Sequence, residues 1–465
     1  MCAGLASTAL AAPLDLAQAW QAALANDAQL RAARATAQAN RERVPQAEAQ
    51  LKPQVNLNMQ RSRNELRSES AGLLGEPVQQ HLFYGAGTDS LTLRQPLYRP
   101  QLTAQLRQAR ALAANGDALF EEEQQKLVMR LTQSYLEALQ AEEQLRLVGV
   151  QRVAYLAQLD AARKGFAGGS GTRTDIDEAQ ARLDLNTAQE LEARQSVDFA
   201  RRQLAVMVGQ PVTELVALDP ARLPLAVPEP ARLEDWVARA ETASPEVRAA
   251  AANLQAARHE VERVRAGHLP TLDAVAQLSR SDSDNPTRVD TRYTQKTIGV
   301  QLNVPLYQGG LVQSQIRQAL ADVERYESVL EGLKQDLSSR VHREFRGVTE
   351  GIARVRALEQ AVRSSEQLAL SSRRSQQGGS RTLVDVLNAE QQLGTARRDL
   401  AQARFTYLLS IVRLRALAGE LTEGSIGEVN RWLVGGAPGL DPPLADARPA
   451  AESGLRLRGS EALRR

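Results

Sequence analysis

The stretch "GGSRTLVDVLNAEQQL" beginning at Gly378 repeats "GGSGTRTDIDEAQARL" beginning at Gly168, at an offset of 210 residues in a chain of 465. The two share both glycines, the serine, Thr172 with Thr382, Asp175 with Asp385, Ala179 with Ala389 and Leu183 with Leu393. The correspondence continues outside them. "QPLY" at 95–98 returns as "VPLY" at 304–307, "LAVMVG" ending at Gly209 returns as "LRALAG" ending at Gly419, and Pro53 answers Pro270. A unit of this length is far longer than the roughly 20–50 residues of a solenoid repeat. The chain is therefore an internal duplication of one large structural unit.

Each unit reads as helix, strand, loop, strand, long helix, shorter helix. The long helices are expected from about Gln101 to Phe166, with Pro100 at a position where its missing N–H costs nothing, and from about Leu311 to Gln377. At about 1.5 Å per residue each spans on the order of 100 Å, more than a compact domain holds. The composition agrees: aromatic residues are 4% and Ala, Gln, Leu, Arg and Glu dominate, as in long helices and coiled coils. In the shorter helix at about 382–418, Val386, Leu393, Leu400, Tyr407 and Leu414 recur every seventh residue, followed three positions on by Ala389, Ala396, Ala403, Ser410 and Leu417. This is a coiled-coil seam with a small side. The copy at about 172–208 keeps the frame with Ile176, Leu183, Glu190, Val197 and Leu204, and Val341, Phe345, Val348, Ile352 and Val355 mark a seam in the second long helix. The remaining helix of each unit, about 14–50 and 233–267, has the length to stack on the shorter one and match the rod, giving two layers of antiparallel coiled coil.

Strands are expected at about 54–62, 88–97, 271–280 and 294–306. In the last, Ile298, Val300, Leu302, Val304 and Leu306 alternate with mainly polar residues, and Val55, Leu57 and Met59 alternate likewise. The strand around Leu91 and Leu93 reads as short and weak. Such segments suit a transmembrane barrel, apolar side to lipid and polar side to lumen. Tyr98 and Tyr307 at one end, with Phe83, Tyr84 and Tyr293 near the other, fit two interfacial aromatic girdles. A soluble sheet with one solvated face is the alternative. Four strands cannot close a barrel, which needs about eight, so several chains must pool their strands. The polar stretches 61–87 and 281–293 are expected as external loops.

The rest of the chain narrows the function classes. Net charge is +2 with both signs well mixed, which is no footprint for nucleic acid. Cys2 is the single cysteine, and His81, His259, His268 and His342 are scattered without a metal-binding spacing, so no metal site is expected. "GFAGGSGT" at 165–172 lacks the lysine of a phosphate loop. No nucleophile–base motif stands out, so neither an enzyme nor a cofactor is expected. No run reaches the roughly 18–20 apolar residues of a membrane helix. Residues 1–11 read as a signal-peptide remnant ending in Ala9-Leu10-Ala11, and the missing basic stretch before it points to a truncated or misassigned start. Two repeats follow, 12–210 with a tip turn at 167–173 and 233–420 with a tip turn at 377–382, joined by a linker or equatorial segment at 211–232. Residues 421–465, rich in Pro, Gly, Ala and Arg, are expected as a disordered tail.

The duplicated pattern, with "LNVPLYQGG" at 302–310, "GSRTLVDVLNAEQQL" at 379–393 and "YLLSIVRLRALAG" at 407–419, resembles the TolC family of outer-membrane efflux and secretion channels over about Leu14 to Leu421. The resemblance implies a mainly α fold carrying a transmembrane β-barrel, built as a homotrimer with four strands per chain in one twelve-stranded outer-membrane barrel. It also implies a periplasmic tunnel of coiled coils tapering to a closed tip, served by a periplasmic adaptor and an inner-membrane ABC or proton-driven transporter. The tip turns would be those at Gly168 and Gly169 and at Gly378 and Gly379. Carried over by motif, the latch arginine is Arg381, the first acidic ring position is Asp385, and the acceptors on the other hairpin are Thr174 and Asp175. Two departures soften the constriction: the second acidic position is Asn388, and the family's linking tyrosine falls on Gln376. Asp175 and Asp385 have a plainer reading as capping-box acids three residues after Thr172 and Thr382. Neutral charge and the softened ring lean toward type I protein secretion. Multidrug efflux is the alternative cargo, and a soluble periplasmic coiled-coil adaptor is the alternative class.

Overall fold

A computed structural model describes residues 13–71, 76–283, 291–421 and 423–433. Its frame is two rods, α4 (Pro100–Ala167) and α8 (Leu311–Gln377). Each turns back through a tight reversal into a shorter helix, α5 (Arg173–Val208) and α9 (Leu383–Leu417), which packs along its rod. Pro100 opens α4 and the left-handed Gly310 (φ +81°) precedes α8. Along the seam of α9, Val386, Leu393, Leu400, Tyr407 and Leu414 are at most 9% exposed, as are Ala389, Ala403 and Ser410, while Ala396 and Leu417 are partly covered. Each fully buried leucine there contributes about 1.5–3 kcal/mol of apolar burial, which holds a helix with few tertiary layers around it. The first copy is looser: Val197 and Leu204 are buried, while Ile176, Leu183 and Glu190 are partly covered.

The stretches expected as single helices at 14–50 and 233–267 are broken. The first is α1 (Leu16–Asn26), α2 (Ala28–Arg41) and α3 (Arg43–Ala49), interrupted where Asp27 turns extended and its carboxylate accepts from the Leu30 N–H at 2.7 Å. The second is α6 (Leu233–Ala243) and α7 (Pro245–Arg265), divided at Ser244, because the residue before a proline is disfavoured in helical conformation. α2, α3 and α7 pack on α4, and α6 and α7 on α8, so the second layer exists but is segmented.

Between the layers the linker at 211–232 crosses the rods. Leu215 bridges Leu14 and Leu218 bridges Leu433, around a core that includes Trp20, Tyr135, Trp236 and Tyr407. The Tyr135 hydroxyl donates to the carbonyls of Leu14 (2.9 Å) and Val216 (3.1 Å), and burial pushes its pKa up, so it remains a donor. Leu433 belongs to a region expected to be tail. Residues Glu423–Asn430 form helix α10, and Ile426, Val429 and Leu433 are buried in this core. The tail therefore does not begin at 421, and the apolar spacing of Ile426, Val429 and Leu433 is what ties its first part down. The leader expected at 1–11 and the remaining tail at 434–465 lie outside the described residues.

The strands β1 (Gln54–Ala71), β2 (Pro77–Tyr98), β3 (Thr271–Ser283) and β4 (Thr291–Asn303) form one antiparallel sheet in the order β1-β2-β3-β4. Most of the expected loop at 61–87 is strand, paired from Arg61 with Gly87 to Ala71 with Pro77. The strand around Leu91 and Leu93 is the longest of the four, at 22 residues. Both differences have one cause: the backbone ladder extends where the side chains are mainly polar and the apolar ones, such as Leu66, Leu82 and Phe83, keep no strict alternation. β4 ends at Asn303, because Pro305 restricts Val304 and lacks an N–H, so Val304 and Leu306 lie beyond the strand.

Candidate functional site

The register sorts the sheet into two chemically distinct faces. One carries Val55, Leu57 and Met59 of β1, Leu93 and Leu91 of β2, Leu272, Ala274, Ala276 and Leu278 of β3, and Ile298, Val300 and Leu302 of β4. Ile298 is 89% exposed and Val300 70%, so this apolar surface is left bare by the chain's own helices. The opposite face carries Asn56, Asn58 and Gln60, then Thr92, Ser90 and Thr88, Gln277 and Ser279, and Thr297 and Gln295.

On the apolar face the oily band ends on a diagonal. The first charged residue is Arg61 in β1, Asp89 in β2, Arg280 in β3 and Lys296 in β4. Asp89 and Arg280 are level with Met59, and Lys296 with Leu57, so the boundary descends four residues across three strand spacings. At about 3.3 Å along a strand and about 4.8 Å between strands, that line makes an angle of roughly 40–45° with the hydrogen-bond rows. Barrel strands tilt by about 35–45° from the membrane normal, so the boundary lies where a flat lipid surface would cut a tilted sheet. A soluble sheet has no reason to draw that line.

The aromatic residues divide accordingly. Phe83, opposite Glu65, shares the lipid-side face, and Tyr98 joins it after a register shift between Pro96 and Tyr98. Tyr84, opposite Asn64, and Tyr293, opposite Ser281, fall on the polar face, which corrects their place in an outer girdle. The cause is the two-residue period, by which neighbours in sequence point to opposite sides. Tyr307 lies beyond β4 and is exposed. At the base of the polar face Asp273, 3% exposed, receives Arg94 at 2.6 Å and Arg99 at 2.7 Å, tying β2, β3 and the start of α4 together.

The other end of the rods holds the two tip turns. Gly169 (φ +76°) and Gly379 (φ +73°) occupy left-handed backbone that a side chain would strain, each preceded by Gly168 or Gly378 with negative φ. Each following helix starts with a reciprocal capping box. The Thr172 hydroxyl accepts from the Asp175 N–H at 3.2 Å while Asp175 accepts from the Thr172 N–H at 2.8 Å, and Thr382 and Asp385 repeat this at 3.3 and 3.0 Å. The Thr382 N–H and hydroxyl, with a smaller contribution from Arg381, hold the Asp385 carboxyl below its usual range. The capping role of both aspartates is thus present, and it leaves Asp385 exposed.

Arg381 donates to the Ser372 hydroxyl at 2.8 Å, and Thr174 is exposed. Within one chain Arg381 is therefore held on its own hairpin. Asn388 accepts from Arg182 of the first hairpin at 3.1 Å, and Arg182 also reaches Gln391 and Glu178. This link between α5 and α9 leaves no sign in the sequence, where Glu178 and Arg182 show only an ordinary i,i+4 pair. Arg373 and the buried Glu390, 2.7 Å apart, join α8 to α9 nearby. Among the described residues no group of three or more His, Cys, Asp or Glu side chains could hold a metal ion, and no helix is long and apolar enough to cross a membrane.

Comparison with known proteins agrees with this geometry. Residues 19–210 and 236–420 match the outer membrane efflux protein family. The chain is 34% identical over 423 residues to the proteases secretion protein PrtF of Dickeya chrysanthemi, covering 90% of this chain and 91% of that one. It is 32% identical over 425 residues to the alkaline protease secretion protein AprF of Pseudomonas aeruginosa, covering 91% and 88%. Among solved structures, that of CusC, a transmembrane channel, superposes with a TM-score of 0.76 over 87% of this chain and 92% of that chain at 17% identity. The apolar sheet, the duplicated coiled coils and these matches lead to one conclusion: the chain belongs to the outer membrane efflux protein family, a channel component of the outer membrane whose helices form its periplasmic part.

Proposed function

We propose that three copies pool their sheets into one twelve-stranded outer-membrane barrel continuous with a periplasmic tunnel, and that the assembly exports protein in a type I secretion system. The observation that carries this reading is a bare apolar sheet face flanked by two edge strands, β1 and β4, that run antiparallel to each other. A second copy can set its β1 against β4 in the same antiparallel sense, and a head-to-tail contact of this kind closes into a ring. Two copies would give eight strands, whose interior side chains fill, whereas twelve leave a lumen. Along the polar face charge occurs only at Arg94 and Asp273, which pair with each other. A neutral wall of Ser, Thr, Asn and Gln holds no passing polypeptide by its charge, and PrtF and AprF are both named for protease secretion. An adaptor and an inner-membrane ABC or proton-driven transporter supply docking and energy.

At the tip, Arg381 of one hairpin pairs with Thr174 and Asp175 of a neighbouring copy, and three Asp385 side chains ring the axis, with Asn388 about one helical turn further from the tip. Leaving the resting state then costs Arg381 its neighbour and leaves it the Ser372 contact seen within one chain.

The cargo is tested by expressing the protein beside the transporter and adaptor of a protease-secretion system that lacks its own channel. Protease in the medium is the expected result. Restored drug resistance in a pump strain without restored protease export would assign the channel to small molecules instead. Replacing both Arg381 and Thr174 with alanine should raise single-channel conductance, and an unchanged value removes Arg381 from the latch.

A further inference from the structure

Just above the oily band, β3 and β4 build a cluster of positive charge on the lipid-side face. Arg280 stands directly opposite Thr294, and Lys296 and Arg292 are its two diagonal neighbours on β4. Diagonal neighbours on one face lie about 7–8 Å apart, within reach for long side chains to converge on one group. All three are exposed, and among the described residues none of them is ion-paired. Two carboxylates border the cluster. Asp89, opposite Arg280, is held by Arg61 in a two-pronged contact at 2.7 and 3.0 Å, and Asp282 stands opposite Arg292. The cluster therefore keeps an excess of positive charge.

Its depth decides what it can meet. Leu278 and Ile298, the last apolar residues of β3 and β4, lie one alternation below, so the cluster sits at the height where acyl chains give way to headgroups. The polar face at the same level carries Ser279, Ser281, Gln295 and Tyr293, with no charge. Charge put on the lipid side alone does nothing for the lumen, and charged residues toward lipid destabilise a barrel unless they stand near the interface.

We propose that Arg280, Arg292 and Lys296 bind a phosphate group on the headgroup of an outer-leaflet lipid, whose acyl chains lie along Leu278, Ile298 and Val300. Guanidinium groups match phosphate oxygens in two-pronged fashion and the lysine adds a point charge, so the site favours a phosphomonoester on a large headgroup. This rests on the membrane-wall reading of the sheet and adds a lipid class to it.

The test uses the full-length protein in detergent, with a diphosphorylated glycolipid of the lipid A type as probe and bound lipid counted by native mass spectrometry. The natural protein should retain the lipid, and R280Q/R292Q/K296Q should bind it on the order of a hundredfold more weakly, at roughly tenfold or less per charge near a membrane surface. The conservative R280K/R292K variant should recover much of the loss. Removing the phosphates from the lipid should abolish the difference between variant and natural protein. Inorganic phosphate, which lacks acyl chains, should not displace the lipid at equal concentration. Equal binding by natural and triple-variant protein, equal binding of the dephosphorylated lipid, or displacement by inorganic phosphate at equal concentration would each overturn the proposal. Single-channel conductance of R280Q/R292Q/K296Q, expected unchanged, shows whether the channel itself survives, so loss of the lipid site and loss of the channel are separate results.

Discussion

In α9 the seam residues Val386, Leu393, Leu400, Tyr407 and Leu414 face inward against α8 and are covered by the chain itself, while in β4 Ile298, Val300 and Leu302 face outward and are bare. The residue types are alike and the period alone differs, seven in the helix and two in the strand. The contrast locates the missing partner. The coiled coils satisfy their apolar stripe within one copy, and the sheet satisfies its own only in a lipid solvent.

Substitutions at matched positions test this contrast. Leu408 lies fully buried in the core around the linker. Leu408→Ala should destabilise the helical part by about 2–5 kcal/mol through lost burial and a residual cavity, read as a lower thermal midpoint of the helical signal. Ile298→Arg should cost about 2–4 kcal/mol per copy by placing charge against the acyl chains, and should deplete the membrane-assembled form. Its sequence neighbour Thr297 points to the polar face. Thr297→Arg should assemble normally and shift conductance toward anions; equal damage by the two substitutions would erase the distinction between the faces.

A smaller effect is expected at the tip. Thr382→Ala removes a helix cap worth about 0.5–2 kcal/mol, which hydrogen exchange should detect as faster opening of the first turn of α9, with little change in the global midpoint. The smallest concerns pH. Because the folded-state pKa of Asp385 lies below its ordinary 3.8, its contribution is complete above that value and fades as pH falls through the lower folded value. The tip turn should therefore exchange at the same intrinsic-rate-corrected pace at pH 7 and 5 and faster only on further acidification. Asp385→Asn should remove that acid step.

The parts of the fold legible in sequence were those where burial imposes a period. The α9 seam and the two rods read correctly because Val386 to Leu414 repeat at seven and a coiled coil permits little else. The strand extensions through Arg61–Ala71 and Pro77–Gly87 did not, since a ladder of backbone hydrogen bonds leaves no mark on side chains that are mainly polar and do not alternate strictly. Helix breaks at Asp27 and Ser244 hide inside continuous apolar spacing, and α10 hides beside a Pro- and Gly-rich stretch. Tyr84 and Tyr293 fit a girdle by their height alone, and their face cannot be read until the register is known. At the tip the capping boxes were visible as Thr-x-x-Asp, whereas the Arg182 link to Asn388 joins residues 206 apart and has no local signature.

In the proposed assembly each chain holds one third of a closed wall. Sedimentation equilibrium of the purified protein in density-matched detergent tests it directly. The expected result is particles of three chains, each of up to 50.7 kDa, that lose solubility when detergent is removed. A single chain that stays monodisperse in plain buffer would contradict it.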